Sequence, residues 1–323
     1  MKLGILTATL QEQPLEAALD AVLNLGAEAV SFCSGGYGGK AHCDPGALLA
    51  DRDRLRAFDR AIAERALEVA GFCVYGNPLH PDRDLALAHR RDLRDSILLA
   101  GQMGVPRVVA FSGCPGDSPE ARFPNWVTYP WPPEWLQLRT WQWEHHVLPF
   151  WTDTARFAAE QGVTLCLELH AGQDIYNVET LRRLRAEAGP RVAACLNPGH
   201  LWWQGMEPAR VARDLAGAVA CVHATDCRTD PLNAPLQGAL DARSFAEERE
   251  RAWSFRTVGY GHGEEAWQAL LLELAVAGYD GPVVIEHEDT LLAPLEGLRA
   301  SMAFLQRLVV REPLAVPSAL PLL

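Results

Sequence analysis

Four short stretches, each closing an apolar strand-like run, carry the residues best suited to chemistry. They are Leu167-Glu168-Leu169-His170, Asn197-Pro198-Gly199-His200, Val222-His223-Ala224-Thr225-Asp226 and Ile285-Glu286-His287-Glu288-Asp289. Carboxylates, an amide and imidazoles form a plausible donor set for a hard or borderline divalent cation. The stretches spread over about 120 residues of chain, so only a fold that converges strand ends could unite them. A parallel barrel does this, and enzymes built on it keep their chemistry at the C-terminal face of the strands.

The elements needed for such a barrel are readable. Short β-rich runs at 3–8, 28–33, 68–75, 106–111, 163–169, 191–196, 219–224 and 282–287 alternate with helical patterns. The helices are expected at 14–25, 51–67, 84–103, 150–161, 179–188, 208–217, 264–277 and 295–309; in the last, Leu298, Met302 and Leu305 form one apolar stripe. Eight strands, each followed by a helix, predict an α/β fold of the (β/α)₈ TIM-barrel type, a single domain over residues 1–311. Residues 312–323, with three prolines in the last eleven, read as an extended C-terminal tail. Two connections exceed what a link requires. Residues 112–149 follow the fourth strand and are rich in Pro and Trp, six of the ten Trp falling between 126 and 151; residues 225–263 follow the seventh. Both leave C-terminal strand ends and should fold over the active face.

Composition narrows the function classes. A formal charge of −12 argues against a nucleic-acid backbone as partner. Lys2 and Lys40 are the only lysines, which disfavours Schiff-base chemistry. The eight cysteines show no Cys-x-x-Cys spacing, and several sit inside apolar strands as small hydrophobes. The chain opens directly on a strand pattern, and no apolar run reaches membrane-spanning length, so a reduced, cytoplasmic protein is expected.

Around the four stretches lie candidate substrate contacts. His170 and His200 follow the first two; Asp226 and Arg228 leave the seventh strand beside His223. His42, Asn77 and His80 follow the second and third strands, while Trp126 and Trp131 offer flat faces for a sugar ring. His262 lies in Gly259-Tyr260-Gly261-His262-Gly263, whose backbone amides could cradle a phosphate, although that run contains no Lys or Arg.

The chain resembles the sugar-phosphate isomerase/epimerase superfamily, the group with xylose-isomerase-like barrels. The likeness covers nearly the whole chain. It rests on Gly76-Asn77-Pro78-Leu79-His80-Pro81, Asn125-Trp126-Val127, Glu168-Leu169-His170, Pro198-Gly199-His200-Leu201-Trp202-Trp203-Gln204-Gly205, Val222-His223-Ala224, Gly278-Tyr279-Asp280-Gly281 and Ile285-Glu286-His287-Glu288-Asp289. The resemblance implies one divalent ion, Mn²⁺, Mg²⁺, Co²⁺ or Zn²⁺, held by Glu168, Asn197, His223 and Glu286. It also implies Glu168 and Glu286 as the catalytic pair. Asn197 stands where relatives usually carry Asp, and Thr225 where many carry Lys, so the expected site has lost one negative and one positive charge.

The expected activity is isomerisation or epimerisation of a keto-sugar or cyclitol by proton transfer through a metal-stabilised enediolate. A lyase or dehydratase acting on a keto-sugar or 3-keto-glycoside would use the same intermediate. A phosphodiesterase of the apurinic endonuclease type would need a larger histidine cluster, for which His42, His80, His200 and His262 are available, and a basic DNA track that this chain lacks. A non-catalytic sugar-binding or partner-dependent subunit is the third alternative. A small sugar or cyclitol is the expected partner, with neither nucleic acid nor membrane, and a homodimer is possible by analogy.

Overall fold

The computed structural model describes residues 1–312, so nearly all of the expected tail lies outside the described residues. Eight parallel strands close into a barrel: β1 (Leu3–Leu6), β2 (Ala29–Gly36), β3 (Glu68–Tyr75), β4 (Arg107–Ala110), β5 (Thr164–Glu168), β6 (Val192–Leu196), β7 (Val219–Ala224) and β10 (Val283–Ile285). β10 pairs with both β1 and β7, and this closes the ring. The first strand ends sooner than its apolar run suggests, because Thr7–Leu10 turns into a 3₁₀ helix. The eight expected helices are present, with ends within four residues of the sequence-based limits.

The barrel divides its core by the two-residue alternation of strands. Leu165 and Leu167 of β5, and Val222 and Ala224 of β7, belong to the large core beneath the helices, with Leu3, Phe32, Phe72 and Trp267. The alternate residues face the barrel's interior. Cys33, Cys73, Val109, Cys166, Cys195, Cys221 and Val284 form one buried cluster there. Two residues farther along β3, β5, β7 and the extensions of β6 and β10 come Tyr75, Glu168, His223, Asn197 and Glu286. The same periodicity that packs the interior therefore points these five side chains into one space at the C-terminal end.

Both long connections contain structure that their composition hides. In 112–149, a helix over Glu134–Gln142 runs through a π-helical turn, Trp143–Val147, into Leu148–Glu160. In 225–263, β8 (Asp226–Thr229) and β9 (Trp253–Arg256) form an antiparallel hairpin. These strands have four residues each and lie far apart in sequence, so neither local periodicity nor a tight turn announces the pairing.

One buried carboxylate ties the hairpin to the barrel. Asp226 accepts bonds from the backbone N–H of Cys227 (2.8 Å), Gly259 (2.9 Å) and His262 (3.1 Å), and from Trp267 Nε1 (3.2 Å). His262 Nδ1 lies 2.8 Å away on its other side. The glycines let the 259–263 loop wrap this closely: Gly259 has φ +90°, and a Cβ on Gly261 would collide with the Cys227 carbonyl. Removing the carboxylate leaves several buried donors unpartnered. Asp226→Ala should lower stability by at least about 3 kcal/mol, read as a lower urea midpoint at unchanged slope; a loss below about 1 kcal/mol would contradict the anchoring role.

Candidate active site

Glu168, His223 and Glu286 present ligand atoms that all lie within 4.8 Å of one another. His223 Nδ1 is 3.5 Å from Glu168 Oε2 and 3.8 Å from Glu286 Oε2. Asn197 caps the short helix Pro198–Trp202, yet its side chain makes no capping bond. Instead its Nδ2 donates to Glu286 Oε2 (3.1 Å) and Thr225 Oγ1 (3.1 Å), with Glu168 Oε1 at 3.4 Å. Thr225 Oγ1 in turn donates to Glu286 Oε2 at 3.3 Å. Neutral donors thus hold the two carboxylates.

Two oxygens here lack partners. Glu168 Oε2 and Asn197 Oδ1 are buried and make no hydrogen bond. An orphaned carboxylate oxygen is costly in a dry interior unless a cation or another donor meets it. The residues therefore fit a divalent metal: Glu168, Glu286, the Asn197 amide oxygen and a nitrogen of His223 supply hard and borderline donors. Burial, followed by the charge of Glu168, pushes the Glu286 carboxyl up to about 7. Without a cation, the pair meets its own repulsion by keeping a proton.

A histidine pair flanks Glu168 on its other side. His200 Nε2 is 3.4 Å from Glu168 Oε1, and the rings of His170 and His200 lie 3.9 Å apart. Burial, then the neighbouring His170, holds His200 well below the usual imidazole range, and burial lowers His170. Both are neutral at pH 7 and can donate or accept a hydrogen bond.

Above these groups opens a cavity of about 600 Å³, lined by His170, His200, Glu288, Trp126 and a set of aromatic residues from the hairpin and neighbouring loop. Trp203 stacks on Trp253 at 4.4 Å, and the Arg251 guanidinium lies 4.1 Å over Phe245. Glu288 is reached by solvent from the cavity yet walled in. Burial, then the charges of Glu286 and Glu168, holds its carboxyl well above the ordinary range. A second cleft, about 580 Å³, is lined by Arg90, Arg94 and Phe150 between two outer helices and holds none of these groups.

Several expected contacts are used elsewhere. Asp226 anchors the hairpin, and His262 is held by Asp226 and stacks on Trp202 at 3.9 Å. The Gly259 and His262 amides are occupied by that carboxylate, so the glycine run is no phosphate cradle. Arg228 sits on the exposed face of β8. Asn77 clamps the loop after β4, donating to Cys114 O (2.8 Å) and accepting from Leu79 N and Cys114 N. His80 Nδ1 accepts from Asp82 N, and His42 Nε2 meets Gln13 O at 2.8 Å. Trp131 is exposed. Among the described residues, none of His42, His80 or His262 joins a group able to hold a metal, so the larger histidine cluster does not assemble. Tyr75 is a site residue that the sequence pattern alone does not single out. Its hydroxyl lies 2.9 Å from His223 Nδ1, across the barrel from β3 to β7, and its place two residues beyond Cys73 was the available signal.

A sequence profile of the xylose isomerase-like TIM barrel family matches residues 19–308. The chain belongs to that family. It is 33% identical over 313 residues, 96% of this chain and 99% of the other, to "Uncharacterized protein YfiH" of Bacillus subtilis (strain 168). The fold of this xylose isomerase-like barrel is shared with the 3-keto-D-glucoside 4-epimerase YcjR of E. coli, at TM-score 0.66 and 16% identity, over 95% of this chain and 99% of that one. It is shared equally with the probable 3-DHS dehydratase AsbF of Bacillus anthracis, at TM-score 0.66 and 14% identity, over the same fractions. No helix among the described residues is long and apolar enough to cross a membrane.

Because Glu286 in the metal-free protein gives up its proton near pH 7, a proton and a cation compete for it. Mn²⁺ affinity, measured by titration calorimetry, should be level above about pH 7.5 and fall below pH 7 by roughly tenfold per unit. Affinity independent of pH between 6 and 8 would contradict this.

Proposed function

We propose that the protein is a divalent-metal-dependent isomerase or epimerase of a keto-sugar or cyclitol. One observation carries the reading: Glu168 and Glu286 meet beside His223 and Asn197, and Glu168 lies against His200, which lines an aromatic cavity. Aromatic faces suit the apolar C–H surfaces of a sugar ring, while neutral His170 and His200 suit its hydroxyls. The name of the structurally similar YcjR, an epimerase of a 3-keto-glucoside, agrees with this substrate class.

A cation held by Glu168, Asn197, His223 and Glu286 would supply Lewis-acid polarisation of a substrate carbonyl, acidifying the adjacent C–H. The chain's own groups then move the proton. The two glutamates rise from β5 and from the end of β10, separated around the ring by β6 and β7. They therefore approach a substrate from different walls, and one can take the proton that the other returns. His200, close against Glu168, orients that carboxylate. Return to the neighbouring carbon isomerises, and return to the same carbon from the other face epimerises.

A second reading has its own support. Glu288, a third carboxyl at the cavity wall whose hold on a proton is strengthened, could donate to a departing hydroxyl or alkoxide, giving elimination instead. The dehydratase name of AsbF is consistent with that outcome.

Solvent exchange tests the shared step. The metal-loaded protein in D₂O should place deuterium beside the carbonyl of at least one member of a panel of ketohexoses, 3-keto-glucosides and keto-cyclitols. Glu168→Gln should slow that uptake by about 10²-fold or more. No uptake with any member, or uptake unchanged in the variant, would contradict the reading. Glu288→Gln should leave exchange intact if the product is an isomer, and suppress product but not exchange if it arises by elimination.

A further inference from the structure

Barrel interiors are ordinarily filled by bulky Val, Ile and Leu. Here the layer beneath the carboxylates is built from thiols: Cys73, Cys166, Cys195 and Cys221 lie in one buried cluster on β3, β5, β6 and β7. Thiols as small hydrophobes would explain their burial. That explanation does not require them to converge on an imidazole, and three of them do. Cys195 and Cys221 are directly opposite each other in the β6–β7 register. Their sulfurs and a nitrogen of His223 lie within 4.8 Å of one another. Cys73 Sγ is 4.0 Å from His223 Nε2. The His223 ring therefore faces two ways, with Nδ1 toward Glu168, Glu286 and Tyr75 and Nε2 toward Cys73.

We propose that Cys195, Cys221 and an imidazole nitrogen of His223 form a second metal site for a thiophilic cation, Zn²⁺ above all, with one position left for a further donor. Two sulfurs and one imidazole nitrogen are a known protein zinc set that leaves a fourth position open, with Zn–S about 2.3 Å and Zn–N about 2.0–2.1 Å. Binding breaks the S–H bonds of Cys195 and Cys221 and sends two protons to solvent. No electron is transferred. Two thiolates balance the dipositive ion, as a buried site requires. The donor type separates this site from the one above it: hard cations favour the oxygens, thiophilic ones the sulfurs. His223 faces both donor sets, so with a cation in each site its ring would bridge them, one ion on each nitrogen and the ring proton lost to solvent.

X-ray absorption at the zinc edge tests this on the full chain, expressed in zinc-supplemented medium and freed of loose metal by gel filtration. The wild type should retain zinc with sulfur neighbours at about 2.3 Å. Glu168→Gln/Glu286→Gln should keep that sulfur shell, whether or not the proposed activity is real. Cys195→Ser/Cys221→Ser, shown folded by circular dichroism, should lose it. Zinc with only nitrogen and oxygen neighbours, no retained zinc, or a sulfur shell that survives the double cysteine change would overturn the proposal. If the cysteine variant fails to fold, the wild-type spectrum alone still shows whether sulfur binds the zinc.

Discussion

Two carboxylates close together in an interior that solvates neither repel each other, and something must relieve that repulsion. Glu168 and Glu286 are held in this way at the end of the barrel. Without a cation the relief is a proton, which is why burial and Glu168 push Glu286 up to about 7. A cation would displace that proton and leave both carboxylates ionised at neutral pH. The surrounding structure works to keep the pair together against its own charge. Asn197 bridges the two and Thr225 supports Asn197 and Glu286, neither adding charge of either sign. A substituted Asp at 197 would add a negative charge and need the cation more. The amide instead tolerates the metal-free state and leaves its own oxygen free.

The rest of the scaffold positions that arrangement and largely buries it. Strand alternation places the pair, His223 and Tyr75 inward, with the apolar partners turned out against the helices. The Asp226 anchor fixes the hairpin that carries Trp253 and Phe255 over the cavity. A low-dielectric roof strengthens every charge interaction below it. Neutral His170 and His200 add hydrogen-bonding capacity at the cavity floor without adding charge.

Much of this was legible in the sequence because strands and helices announce themselves by period. Glu68–Tyr75 and Val219–Ala224 match the apolar patterns at both ends. Glu168, Asn197, His223 and Glu286 were legible as strand-end residues of a resembled family. Long-range geometry was not. Asp226 sits close to His223 in sequence, but the chain leaves the barrel there to start the hairpin, so its carboxylate meets Gly259, His262 and Trp267 instead. The glycine run looked like an anion cradle because local sequence cannot say that a carboxylate of the same chain already fills it. Asn77 and His80 lie near strand ends, yet their polar atoms are spent on loop bonds to Cys114 and Asp82. Conversely, the interior cysteines read as ordinary small hydrophobes, since their convergence on His223 joins strands distant in sequence.

The proposed chemistry depends on a metal ion held by Glu168, Asn197, His223 and Glu286. Anomalous-scattering difference maps from crystals soaked in Mn²⁺ test this most directly. One strong peak is expected, bonded to oxygens of Glu168 and Glu286, to Asn197 Oδ1 and to a nitrogen of His223. A featureless map at that point, or a manganese peak whose ligands exclude both glutamates, would contradict it.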